Sequence, residues 1–271
     1  MSSATKDVPV VARSSLRTVA LPSEHGGWGL TLEPGLLGLL VAPSVAGLAL
    51  ALAALVAFLA RTPLKLALVD RRRGRDLERT ALARRVAAVE LMVLAGLVVT
   101  AVATASSPFW IPLVVAAPLV LVEGWYDIRS RGRRLLPEVA GAVAVCSVVA
   151  MVVLADGGSG ALATGLWLVL AARVITSIPY VRDRIADLHG RSVEPRGTRL
   201  ADGLALLLAV VAVAVDPQLV AGAAAVLAVV GLQRLSARWP TDRAAVLGLR
   251  QMALGFGLVV VTALGVILTS S

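Results

Sequence analysis

Long apolar runs separated by short polar connections fill the chain from residue 28 to residue 269. Runs of ~20 apolar residues match the hydrocarbon core of a bilayer. The alternating ~10-residue segments of a membrane barrel do not occur. The pattern predicts helices over 28–42, 45–66, 84–104, 109–126, 136–155, 161–181, 200–215, 218–234 and 247–269. The first two divide one stretch, 28–69, at the turn-like Ala42-Pro43-Ser44. The first is short for ~30 Å of hydrocarbon and holds Pro34. The expected fold class is all-α: a polytopic membrane protein of about nine transmembrane helices. Its single helical domain is 23–271, preceded by a disordered tail, 1–22.

The connections alternate between basic and neutral. The segment Arg61–Arg85 is read as a loop and holds nine basic residues, with Asp70, Asp76 and Glu78 as its acids. Further basic connections carry Arg129, Arg131, Arg133 and Arg134; Arg182, Arg184, Arg191, Arg196 and Arg199; and Arg234, Arg238 and Arg243. The neutral ones are 42–44, 106–108, 156–160 and 216–217. Basic connections favour the cytoplasmic side. The expectation is therefore a multi-pass cell-membrane protein with its N-terminus in the cytoplasm and its C-terminus outside. Two helices must then precede the first basic connection, which supports the division at Pro43.

Composition agrees: 58% of residues are apolar and 16% charged, too few charges to cover a soluble domain. In a soluble chain the formal charge of +9 would suggest nucleic acid. Here topology accounts for it, with anionic lipid or a phosphorylated substrate as further partners. The only cysteine, Cys146, lies in an apolar run and excludes a disulfide framework. The first 20 residues lack the apolar core of a signal peptide.

Charged groups within hydrocarbon are costly and mark candidate sites. They are Glu33, Glu90, Glu123, Glu138 and Arg173. From Arg173 a polar stripe runs through Thr176, Ser177, Tyr180, Asp183, Arg184 and Asp187 at helical spacing. It suggests one wall of a cavity open to the cytoplasm; the alternative is an Arg173–Glu90 ion pair in a closed bundle. In Pro22-Ser23-Glu24-His25-Gly26-Gly27-Trp28-Gly29, Glu24 and His25 form a candidate acid/base pair. Alternatively Ser23 caps, and Trp28 anchors, the first helix. Asp70 with Asp76, and Asp183 with Asp187, could hold Mg²⁺ against a diphosphate, with arginines neutralising the remaining oxygens. They could equally balance neighbouring arginines.

The segment from Pro22 to Gly29, followed by Pro34, resembles the signature of the YwiC-like bacterial membrane proteins. The architecture also resembles the UbiA-type intramembrane prenyltransferases. The residues that match are Tyr126, Arg129 and Arg131 with the following Pro137-Glu138 and Gly141, and Tyr180, Asp183 and Asp187. In the first Asp-rich motif only Asp70 has a counterpart; Arg73 and Leu77 stand at the other carboxylate positions. That resemblance implies an isoprenoid diphosphate and a lipophilic acceptor as partners. It assigns Asp70, Asp183 and Asp187 to a metal, Arg71, Arg131 and Arg184 to the diphosphate, and Tyr126 and Tyr180 to an allylic cation; Arg173, at the head of the polar stripe, is a further candidate for the substrate. A transporter or lipid-binding protein without catalysis is the alternative, and a purely structural membrane subunit a third.

Overall fold

A computed structural model describes residues 19, 25–75, 77–129, 131–132, 134–191, 195–240 and 243–270, with the side chains of His25, Gly26 and Pro195 excepted. Asp76 and nearly all of the 1–22 tail lie outside the described residues. Nine α-helices make up the described chain: α1 His25–Val41, α2 Val45–Arg72, α3 Glu78–Thr104, α4 Ile111–Ile128, α5 Leu135–Ala155, α6 Gly160–Leu188, α7 Pro195–Val215, α8 Val220–Ser236 and α9 Ala244–Ser270. A 3₁₀ turn, Pro217–Leu219, joins α7 to α8. All but α1 are long and apolar enough to cross a membrane. The chain is a multi-pass helical membrane protein.

The division near Pro43 stands. Ser44 caps α2, its hydroxyl accepting from the Gly47 amide at 3.0 Å, while Pro43 cannot continue α1. Ser159 caps α6 in the same way. The basic connections differ from expectation. The Arg61–Arg85 segment is mostly helix: α2 continues to Arg72 and α3 starts at Glu78. The segment 182–199 likewise belongs mainly to α6 and α7. Arginine is a good helix former, so these helices extend beyond the apolar run instead of ending where the charges begin.

Short connections make sequence neighbours antiparallel, and cross-links fix the two ends of the bundle. At the neutral end the Ser106 amide and Ser107 hydroxyl donate to the Ala155 and Leu154 carbonyls of α5. At the basic end Arg72 donates to the Ile128 carbonyl, and Arg182 pairs with Glu138. Helix α1 packs against α5, α9 and α2; α6 packs against α5, α7 and α8. Helix α3 lies outside, on α2, and α4 lies on α5. The main core fills the neutral half, where Leu37, Val149, Leu166, Val169, Leu170 and Leu258 have almost no exposure.

Candidate functional site

The basic half of the same interior is polar. Glu33 of α1 and Arg173 of α6 meet at 2.9 Å, both almost completely buried. Arg173 Nη2 also donates to the Gln251 carbonyl of α9 at 2.8 Å. A side-chain chain continues toward the basic end. The Gln233 amide of α8 donates to Gln251 Oε1 at 3.1 Å and to the Ser177 hydroxyl at 2.9 Å. Thr176 Oγ1 lies 3.0 Å from Gln233 Oε1 and 2.5 Å from Asp202 Oδ1 of α7. The other Asp202 oxygen accepts from Arg234, a half-exposed side chain at the rim. A polar column therefore runs from the rim to Arg173, through the Gln251 backbone carbonyl, and ends on the Arg173–Glu33 ion pair. Glu33 Oε1, at its head, has no hydrogen-bond partner among the described residues. Gly255 of α9 allows the pair to close: a Cβ there would run into Glu33 Oε1 and Arg173 Nη2.

A second charged group ties α2 to α4. Arg61 pairs with Glu123 at 2.9 Å and with Asp127 at 2.8 Å, and Lys65 reaches Asp127 at 3.0 Å. Just beyond it, the ends of α2 and α4 enclose a concavity of about 240 Å³ lined by Val69, Arg72, Arg73, Ile128 and Arg129. The Arg129 guanidinium stacks on Trp125, 3.3 Å from the ring centroid. This is a cation–π contact that orients the charge. Leu68, next to Val69, and Leu121 and Trp125, farther back along α4, are exposed. Three arginines thus stand beside Val69 and Ile128 at the concavity.

The predicted site residues are distributed as follows. Glu24 and the His25 side chain lie outside the described residues; the His25 backbone opens α1. Arg173 pairs with Glu33, not Glu90, because α1 packs in the bundle interior whereas α3 lies outside on α2. The polar stripe of α6 faces α7, α8 and α9 instead of an open cavity: Thr176, Ser177 and Tyr180 are buried, and the Tyr180 hydroxyl is 2.8 Å from Ser236. Arg184 donates to the Ala237 and Trp239 carbonyls and so closes the C-terminal end of α8. Tyr126 is half-buried on α4, and Arg71 and Arg131 are exposed at the basic end.

Asp70 is 2% exposed, and both its oxygens are engaged, one by Thr80 at 2.7 Å and one by Arg79 at 3.3 Å. Its backbone carbonyl accepts from the Arg73 and Arg75 amides. It thus closes the α2–α3 turn. Asp183 accepts from Thr198, and Asp187 lies near Arg184. Among the described residues no group of three or more His, Cys, Asp or Glu side chains is placed to share a metal ion. Asp76, the partner of Asp70 in the sequence reading, lies outside the described residues.

Sequence reading passed over Asp202, Gln233, Gln251 and Thr198. The available signal was their position: each lies close to a basic connection.

A family model described as YwiC-like protein matches residues 21–153, from the segment before α1 to the end of α5. No curated protein and no solved structure matches the chain. The matched span contains Glu33, the Arg61–Asp127 group and every residue lining the arginine concavity; Arg173 and its partners on α7, α8 and α9 lie beyond it.

Proposed function

We propose that this membrane protein, YwiC-like over residues 21–153, binds an anionic amphiphile at the arginine-lined concavity, with its basic end in the cytoplasm. The ligand class is a phosphate or diphosphate head on an apolar tail, which includes the isoprenoid diphosphates. The observation that carries this reading is the juxtaposition of Arg72, Arg73 and Arg129 with Val69 and Ile128 at the mouth between α2 and α4. Guanidiniums match phosphate oxygens in pairs, and the tail would lie along the exposed apolar face beside Leu68 and Leu121. The alternation of basic and neutral connections supports the cytoplasmic orientation.

Binding is the reading that the residues support best. Transfer of the prenyl group to a lipophilic acceptor would need further groups around the allylic carbon, and Tyr126, half-buried on α4, is the nearby candidate in sequence. Transport across the membrane is disfavoured by the packed apolar half beyond Glu33.

The test is equilibrium binding of a radiolabelled prenyl diphosphate to purified protein, with the corresponding prenyl alcohol as competitor. Charge-assisted hydrogen bonds contribute about 1.5–3 kcal/mol each. The variant Arg72→Ala/Arg129→Ala should therefore bind at least about tenfold more weakly, and the alcohol should compete poorly. Equal affinity in the variant, or equal competition by the alcohol, rejects the proposal.

A further inference from the structure

Helices α8 and α9 part to leave a second concavity, an apolar groove of about 370 Å³ with no polar residue in its lining. Toward the neutral end the two helices touch: a Cβ on Gly265 would run into the Ala221 side chain, and one on Gly222 would lie 3.0 Å from Thr262. Nearer the basic end, a Cβ on Gly257, which lines the groove, would meet nothing within 4 Å. Ala225, Val229 and Leu258 are buried and form the floor; Ala228, Leu232 and Val261 are exposed on the walls. The lining runs from Ala224 to Leu232 on α8 and from Ala253 to Val261 on α9, about 12 Å of helix rise on each. That is less than half of ~30 Å of hydrocarbon. The groove therefore belongs to one leaflet, on the side of Arg234 and Arg250.

Positions 243, 250, 254, 257 and 261 are spaced by seven, four, three and four residues, so they follow one face of α9. Arg243 stands directly before the helix, its carbonyl accepting from the Val246 and Leu247 amides. Followed toward the basic end, the groove thus leads from Gly257 and Leu254 to Arg250 and then to Arg243, both exposed. Trp239, exposed at the same end, suits the headgroup level. Neither α8 nor α9 contains an acidic residue.

We propose that this groove holds one acyl chain of an anionic phospholipid from the leaflet on the basic side, with its phosphate head at Arg250 and Arg243. Charge complementarity selects this occupant. An apolar slot that closes near mid-membrane takes an apolar chain, and two arginines at its open end take a negative head. A second copy fits less well. A two-fold interface sets the same patch against itself, so arginine would face arginine with no carboxylate on either helix to separate them. The groove shares no residue with the arginine mouth between α2 and α4 and does not depend on a ligand there.

Photolabelling of the full chain in phosphatidylcholine vesicles tests this. The probe is phosphatidylglycerol with a diazirine on one acyl chain, compared with phosphatidylcholine carrying the same chain, and labelled peptides are identified by mass spectrometry. Peptides of α8 and α9 should take several-fold more label from the phosphatidylglycerol. An arginine beside an anionic headgroup is worth on the order of fivefold in affinity, so Arg243→Gln/Arg250→Gln should abolish most of that preference. Gly257→Leu puts its side chain into open space and should lower the labelling several-fold by filling the groove, with the melting temperature showing that the variant is folded. Arg72→Ala/Arg129→Ala should leave the α8–α9 label unchanged, which separates this site from the mouth. Equal labelling by the two lipids, unchanged labelling in either α9 variant, or loss of the label in Arg72→Ala/Arg129→Ala overturns the proposal. A wild-type dimer that Gly257→Leu dissociates would assign the groove to a second copy and overturn it as well.

Discussion

At the scale of single residues, several charges hold the fold. Glu33 and Arg173 are the buried extreme. Removing one partner of such a pair strands the other in a medium that solvates it poorly, a cost of about 3–5 kcal/mol. Arg173→Leu should therefore lower the melting temperature in detergent sharply, and Glu33→Leu/Arg173→Leu should recover most of the loss. A double variant no better than the single would mean that the pair is not coupled. Asp70 is a second structural charge. Asp70→Ala leaves the Thr80 hydroxyl buried without its acceptor and should cost about 1–3 kcal/mol. Arg79→Ala removes only the half-exposed partner and should cost under about 1 kcal/mol. The same melting measurement ranks the two. Their partners were hidden in the sequence, where Asp70 reads as a candidate metal ligand and Arg173 as a candidate substrate arginine. Burial and partner choice depend on which helices meet. Glu33 and Glu90 each sit in an apolar run, and only the placement of α1 inside and α3 outside selects Glu33.

At the scale of helices, the nine apolar runs and their turns were legible because the bilayer fixes both a length and a composition. Even the division at Pro43 followed, from the need for two helices before the first basic connection. The helix ends were less legible. Arginine clusters mark the side of the membrane but do not stop a helix, so α2, α3, α6 and α7 run on into segments read as loops. Neutral polar residues were the larger omission. Gln233 and Gln251 each sit beside an arginine at the end of an apolar run, yet together they bridge α6, α8 and α9. Close approach of the helices depends on particular glycines. At Gly141 a Cβ would run into the Glu123 carboxylate, and at Gly255 into the Glu33–Arg173 pair. Gly141→Ala and Gly255→Ala should each destabilise by about 1–3 kcal/mol through overpacking, again read as a shift in melting temperature. An unchanged melting temperature would show that the neighbouring charges can move aside.

At the scale of the whole molecule, the two halves of the bundle do different things. The neutral half is a mainly apolar, close-packed core; the basic half holds a polar column inside and an arginine-lined mouth at its edge. The proposed orientation is testable in intact cells with a membrane-impermeant thiol reagent, the native Cys146 being buried. Ser159→Cys, in a neutral connection, should react from outside, whereas Arg131→Cys should react only after permeabilisation. The opposite pattern would invert the topology and move the arginine mouth to the outer leaflet. The central claim is anion binding at that mouth, and native mass spectrometry of the protein extracted with its lipids tests it most directly. An adduct whose mass matches an anionic amphiphile is expected on the wild-type protein, strongly reduced in Arg72→Ala/Arg129→Ala. Spectra free of such adducts, or equal adducts in both proteins, would contradict it.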